Sequence, residues 1–167
     1  MNIVLIGYRG VGKSTIAHML GARLPGWTVV STDAEIVARA KQSIPDLVKE
    51  FGWDHFRDLE SAVCRDVAAG DRQIIDTGGG AILRPENVAA LKRNGRLFWL
   101  TADVPTIHAR IGGDTQRPSL TGTKTFLEEI AEVLESRRPQ YQAAADTIIQ
   151  TDNQTLTWIC ERIQQRL

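Results

Sequence analysis

The chain has 167 residues, enough to bury a substantial core without disulfide staples, and one domain is expected over 1–167. Lys plus Arg and Asp plus Glu number 20 each, so the formal charge is zero, no overall field draws the chain to nucleic acid or to an anionic membrane, and small molecules are the expected partners. Cys64 and Cys160 form no C-x-x-C and no His pair accompanies them, which argues against a zinc site, and the short apolar runs give no membrane span, so a cytoplasmic monomer is expected.

In chain order, the apolar run 3–6 reads as a buried strand and 14–24 as the helix that follows it. Residues 28–30 read as a second strand, followed by helical patterns at 34–40, 44–51 and 56–69. A third strand is predicted at 73–75, a helix opened by Pro85 at 85–93, a fourth strand at 97–100 and a helix at 104–111. Helix, strand and helix are then expected at 125–144, 147–149 and 154–166. Five strands separated by helices imply a three-layer α/β/α fold around a parallel sheet. Two segments depart from plain alternation. Residues 34–70 hold too many helices for one crossover and suggest a substrate-gripping insert. Residues 112–124 are rich in turn formers and cations, the composition of a lid.

Residues 7–15, Gly7-Tyr8-Arg9-Gly10-Val11-Gly12-Lys13-Ser14-Thr15, match G-x-x-x-x-G-K-[ST] between the first strand and the first helix. Glycine tolerates backbone angles that a Cβ opposes, so the N–H groups from Gly10 to Thr15 can converge on phosphate oxygens at the positive end of a helix. Lys13 is expected to reach the β- and γ-phosphates of ATP, and the Ser14 hydroxyl to join a Mg²⁺ shell. The loop does not identify the acceptor of the phosphoryl group.

Further along lie Thr32-Asp33, Phe56-Arg57-Asp58-Leu59-Glu60, Thr77-Gly78-Gly79-Gly80-Ala81, Arg117-Pro118 and Arg137-Arg138-Pro139-Gln140-Tyr141. In order and spacing these pieces resemble the shikimate kinase family, of the nucleoside-monophosphate-kinase-like P-loop fold, over nearly the whole chain. The resemblance implies transfer from ATP, with Mg²⁺, to a ring hydroxyl of shikimate, giving shikimate 3-phosphate on the route to chorismate and the aromatic amino acids. It implies that Arg57 and Arg137 clamp the acceptor carboxylate, that the ring lies on Gly78, Gly79 and Gly80, and that Asp33 orients or deprotonates the hydroxyl. It also implies that Arg110 stacks on adenine and that Arg117 reaches the transferring phosphate from the lid. Paired arginines suit such an acceptor because a guanidinium binds carboxylate bidentately.

Other roles stay open for these residues. Arg57 could pair with Glu60 or Glu50, Asp33 could be the N-cap of the 34–40 helix, and Arg110 could be a surface residue. Trp27, Trp53, Trp99 and Trp158, and His18, His55 and His108, are scattered and read as packing or solvated residues. Three positions depart from the family pattern: Ser31 stands where an Asp usually supports Mg²⁺, Asp76 precedes the triple glycine, and Ser119 follows Arg-Pro in the lid. Asp76, at a strand end near the P-loop, is a candidate for the metal's outer shell. Besides a shikimate kinase, two readings remain: a nucleotide-binding regulatory module without transfer, and a kinase for another hydroxy or sugar acid such as gluconate.

Overall fold

The structure, a computed structural model, describes residues 1–112 and 126–167. Its strands are β1 (Asn2–Ile6), β2 (Thr28–Ser31), β3 (Gln73–Asp76), β4 (Gly95–Thr101) and β5 (Thr147–Gln150). All pairings are parallel, in the order β2-β3-β1-β4-β5. The helices are α1 (Lys13–Arg23), α2 (Thr32–Ala40), α3 (Ile44–Ala68), α4 (Pro85–Lys92), α5 (Val104–Ile111), α6 (Phe126–Ala144) and α7 (Leu156–Gln164), with a 3-10 turn at Ala81–Leu83.

A central parallel strand must be covered on both faces, and every residue of β1 is buried. Ile3 and Leu5 point into one core with Ile16 and Leu20 of α1, Ile107 of α5 and Ile159 and Ile163 of α7. Val4 and Ile6 point into the other, with Val63 and Val67 of α3, Leu91 of α4 and Tyr141 and Ala144 of α6. The expected three-layer arrangement with five parallel strands is therefore observed. No helix among the described residues is long and apolar enough to cross a membrane.

Local signals set most element ends. Asp103 caps α5 by accepting from the Thr106 N–H at 2.8 Å, and Thr155 caps α7 by accepting from Trp158 N–H at 3.1 Å. Two expectations are corrected. The helices anticipated at 44–51 and 56–69 form one run, α3, broken only at Gly52, where φ is 85°. The second helix begins at Thr32, and its N-cap is Ser31, whose Oγ accepts from Ala34 N–H at 3.3 Å. Asp33 is thus a first-turn residue and not the cap, because β2 runs one residue further than its apolar stretch and Ser31 takes the cap geometry first.

The loop between β1 and α1 leaves the sheet at its C-terminal edge, between β3 and β4. Ligand sites of open α/β sheets collect where the strand order reverses in this way.

Candidate active site

The phosphate loop is built on left-handed backbone. Gly10 has φ 80° and Gly12 φ 99°, and Gly12 is the residue from which α1 starts without any side-chain cap. The first N–H groups of α1 therefore face the loop's mouth with no side chain to satisfy them. Lys13 is 8% exposed, and its Nζ donates to the carbonyls of Gly7 at 2.8 Å and Tyr8 at 3.0 Å. The ammonium is thereby folded over the loop. Gly10, Gly12, Lys13, Ser14 and Thr15 line one cavity with Asp33, Asp76 and Arg110.

Ser14 Oγ donates to Asp76 Oδ2 at 2.5 Å. Asp76 ends β3 and stands in register with Leu5 of β1 and Ser31 of β2, so the Asp76 and Ser31 side chains leave the sheet on the same face. A carboxylate at 76 is one strand nearer to α1 than one at 31, and it touches Ser14 directly. Among the described residues no group of three His, Cys, Asp or Glu could hold a metal alone. The oxygens present, a P-loop hydroxyl tied to a carboxylate, suit a hard cation that takes its remaining ligands from phosphate and water.

Arg110 is an exposed residue of α5, and its Nη1 donates to the Gly10 carbonyl at 3.2 Å and reaches Thr151 Oγ1 at 3.4 Å, which ties α5 to the loop. Val11 departs from the other loop residues. Its side chain is buried in the core, and it borders an adjoining cavity with Thr15, Arg110, Thr151 and Gln154.

The second cavity gathers Arg57, Arg137, Gly78, Gly79 and Gly80, residues from α3, α6 and the loop after β3. Arg57 Nη1 donates to Glu60 Oε2 at 2.6 Å, and its guanidinium lies 5.3 Å from the Trp53 ring and 5.1 Å from that of Phe56. The anticipated Glu60 pairing thus exists together with placement in the cavity. Glu60 is fully buried, and its other oxygen, Oε1, has no hydrogen-bond partner. Burial raises the Glu60 pKa above its ordinary value, opposed by the Arg57 charge. Two of the glycines are spacers for these groups: a methyl at Gly78 would stand 2.8 Å from Asp33 Oδ1 and 2.9 Å from Glu60 Oε1, and one at Gly80 would run into the Arg57 guanidinium.

The triple-glycine loop is held from both sides. Gly78 N–H donates to Thr32 Oγ1 at 2.9 Å, and Tyr141 Oη donates to the Gly79 carbonyl at 2.5 Å. Tyr141 is itself stacked on Trp99, with centroids 5.4 Å apart, and burial pushes its phenol up to about 12, so it stays a neutral donor. Burial likewise pushes the Cys64 thiol up to about 12, which fits an inert core residue.

The structure thus sorts the anticipated residues into two adjoining cavities, one around the phosphate loop and one around the two arginines. Asp33 borders the first cavity and abuts Gly78 of the second. Arg117, and the lid anticipated at 112–124 apart from Gly112, lie outside the described residues. Sequence reading missed Tyr8, Arg9 and Trp53 as cavity residues and Tyr141 as the anchor of the glycine loop. Tyr8 and Arg9 occupy unconstrained positions of the P-loop pattern, where no motif could flag them.

A family model described as shikimate kinase matches residues 9–167. The shikimate kinase of Dehalococcoides mccartyi is 40% identical over 166 residues, covering 99% of this chain and 93% of that protein. The shikimate kinase of Nitratidesulfovibrio vulgaris is 44% identical over 153 residues, covering 90% and 86%. Among solved structures, shikimate kinase from Acinetobacter baumannii in complex with shikimate superposes with a TM-score of 0.92 at 28% identity, covering 99% of this chain and 91% of that one. The P-loop, the paired arginines and these likenesses along nearly the whole chain agree, and the chain belongs to the shikimate kinase family.

Proposed function

We propose that this protein transfers the γ-phosphoryl group of ATP to a ring hydroxyl of shikimate, giving shikimate 3-phosphate. The observation that carries the acceptor assignment is the second cavity: two guanidiniums over a side-chain-free glycine wall, beside the phosphate loop. A flat hydroxylated ring bearing one carboxylate fits it, because Arg57 and Arg137 offer planar forks and the glycines let a ring lie on the main chain. Residues 34–70 act as the gripping insert, since they supply Arg57 and its Glu60 support.

Each residue then has one task. The N–H groups from Gly10 to Thr15 and the Lys13 ammonium cradle the β- and γ-phosphates, and Arg110 with the adjoining cavity takes the adenine. Ser14 would hold Mg²⁺, with Asp76 supporting it through Ser14 and a bound water; the cation supplies neutralisation of phosphate charge. Asp33 accepts the proton of the attacking hydroxyl as its oxygen forms the new P–O bond and the bond to the β-phosphate oxygen breaks, leaving ADP. Arg117, outside the described residues, is the cation that the family resemblance assigns to the transferring phosphate.

A coupled assay of ADP release with shikimate, quinate and gluconate, each with Mg²⁺, tests this reading. Shikimate-dependent release far above the acceptor-free rate is expected. ATP binding with no acceptor-dependent release would point to the nucleotide-binding module, and turnover only with gluconate to a sugar-acid kinase.

A further inference from the structure

Among the described residues, Arg9 alone borders both cavities, the one around the phosphate loop and the one that holds Arg57 and Arg137. It occupies a variable position of the P-loop, so the phosphate-binding pattern does not ask for a cation there. Its place follows from the fold: the triple-glycine loop packs against this stretch, and a methyl at Gly79 would stand 3.5 Å from the Gly7 carbonyl oxygen and 3.6 Å from the Arg9 main-chain nitrogen. The neighbouring Tyr8 ring is 1% exposed and faces the acceptor cavity, and the Arg9 guanidinium carbon stands 5.9 Å from the ring centroid. Tyr8 and Arg9 therefore stand where the two cavities meet, and Arg9 brings a cationic side chain to that junction.

Resting on the acceptor assignment above, we propose that Arg9 is a catalytic residue that contacts the phosphoryl group in transit and couples acceptor binding to nucleotide binding. The two reactants bring like charges together, a carboxylate held by Arg57 and Arg137 and a γ-phosphoryl held by Lys13. A fixed cation between them relieves that repulsion and is strongest when the phosphoryl lies midway, as the bond to ADP breaks and the bond to the hydroxyl oxygen forms. Arginine suits the place because its guanidinium keeps its charge and can donate in two directions at once. Lys13 borders only the phosphate-loop cavity, with its ammonium on the loop carbonyls of Gly7 and Tyr8, so it approaches from the nucleotide side alone.

The test compares wild type, Arg9→Met and Arg9→Lys in the full chain. Steady-state kinetics give kcat and both KM values, and calorimetric titration with shikimate is run with and without ADP, Mg²⁺ and aluminium fluoride as a mimic of the phosphoryl in flight. Arg9→Met is expected to lower kcat about 100-fold, the scale for loss of one preorganised donor to a charged transition state. It should also remove most of the gain in shikimate affinity that the aluminium fluoride complex gives, with ATP KM little changed. Arg9→Lys should recover part of both, and thermal denaturation checks that each variant is folded. If Arg9→Met does not fold, Arg9→Lys against Arg9→Gln carries the comparison of charge with shape. A kcat within about twofold of wild type in the folded variants would overturn the proposal. A rise in shikimate KM alone, with kcat and the affinity gain intact, would also overturn it and make Arg9 a third arm of the carboxylate clamp. Wild-type turnover of shikimate, measured first, separates failure of this proposal from failure of the acceptor assignment.

Discussion

Replacing Arg57 by methionine separates its two roles, one toward Glu60 and one toward the acceptor. The Glu60 side chain is 1% exposed and that of Arg57 14%, with 2.6 Å between Nη1 and Oε2. Removing the guanidinium leaves a buried carboxylate without its counter-charge, a loss of about 3–5 kcal/mol for a broken buried pair. For a domain of this size each kcal/mol shifts Tm by about 2–4 °C, so a fall of about 6–20 °C is expected at neutral pH. The sign of the pH dependence follows from Glu60. Its folded pKa is raised by burial, and losing Arg57 raises it further, so its favourable contribution is fully present below about pH 4.5 and is lost as pH rises through the folded value. The deficit of Arg57→Met should therefore shrink towards acid pH. Arg57→Met/Glu60→Gln should recover most of the stability at pH 7 but none of the acceptor affinity. Thermal denaturation at several pH values, with shikimate KM on the same samples, reads both. A loss below about 1 kcal/mol, or a double variant no more stable than the single, would refute the reasoning that the ion pair is a buried support.

The remaining predictions concern the site's other groups. Arg57→Ala and Arg137→Ala should each weaken shikimate binding by about 2–5 kcal/mol with ATP affinity nearly unchanged, and the double variant should lose less than the sum because both hold one carboxylate. Unchanged KM in both single variants would remove them from the acceptor site. Asp33→Asn should lower kcat far more than it changes KM, since an amide keeps a hydrogen bond but cannot take the proton. A near-normal kcat would leave Asp33 as a first-turn helix residue only. Asp76→Asn should raise the Mg²⁺ concentration for half-maximal rate about 10- to 100-fold, and Ser31→Asp in that background should restore part of it while still capping α2. An untouched Mg²⁺ dependence would assign Asp76 to fixing Ser14 alone.

Much of this was legible in local pattern. The run at 3–6, the glycine-lysine-serine loop and the proline at 85 each name an element through backbone physics that needs no tertiary partner. The second helix was misplaced because Ser31 and Asp33 are both good N-cap residues, and only the extension of β2 to Ser31 decides between them. The run from 44 to 68 reads as two helices on either side of Gly52-Trp53-Asp54-His55, whereas the chain breaks only at Gly52 and resumes at once, with Trp53 packed on the core. Arg57 and Arg137 were readable as a pair from the family pattern, yet the buried Glu60 that supports Arg57 entered only as a competing reading. Tyr141 reaching the Gly79 carbonyl, and Arg9 between two cavities, come from loops meeting across the sheet edge, which no spacing along the chain records.

Phosphorus NMR of the full chain mixed with ATP, Mg²⁺ and shikimate tests the central claim most directly, because it distinguishes transfer from hydrolysis. The account predicts that the γ-phosphate resonance disappears as one phosphate-monoester resonance and ADP appear in equal amounts, with Lys13→Ala showing none of this. Accumulation of inorganic phosphate without the monoester, or an unchanged ATP spectrum in the presence of shikimate, would contradict it.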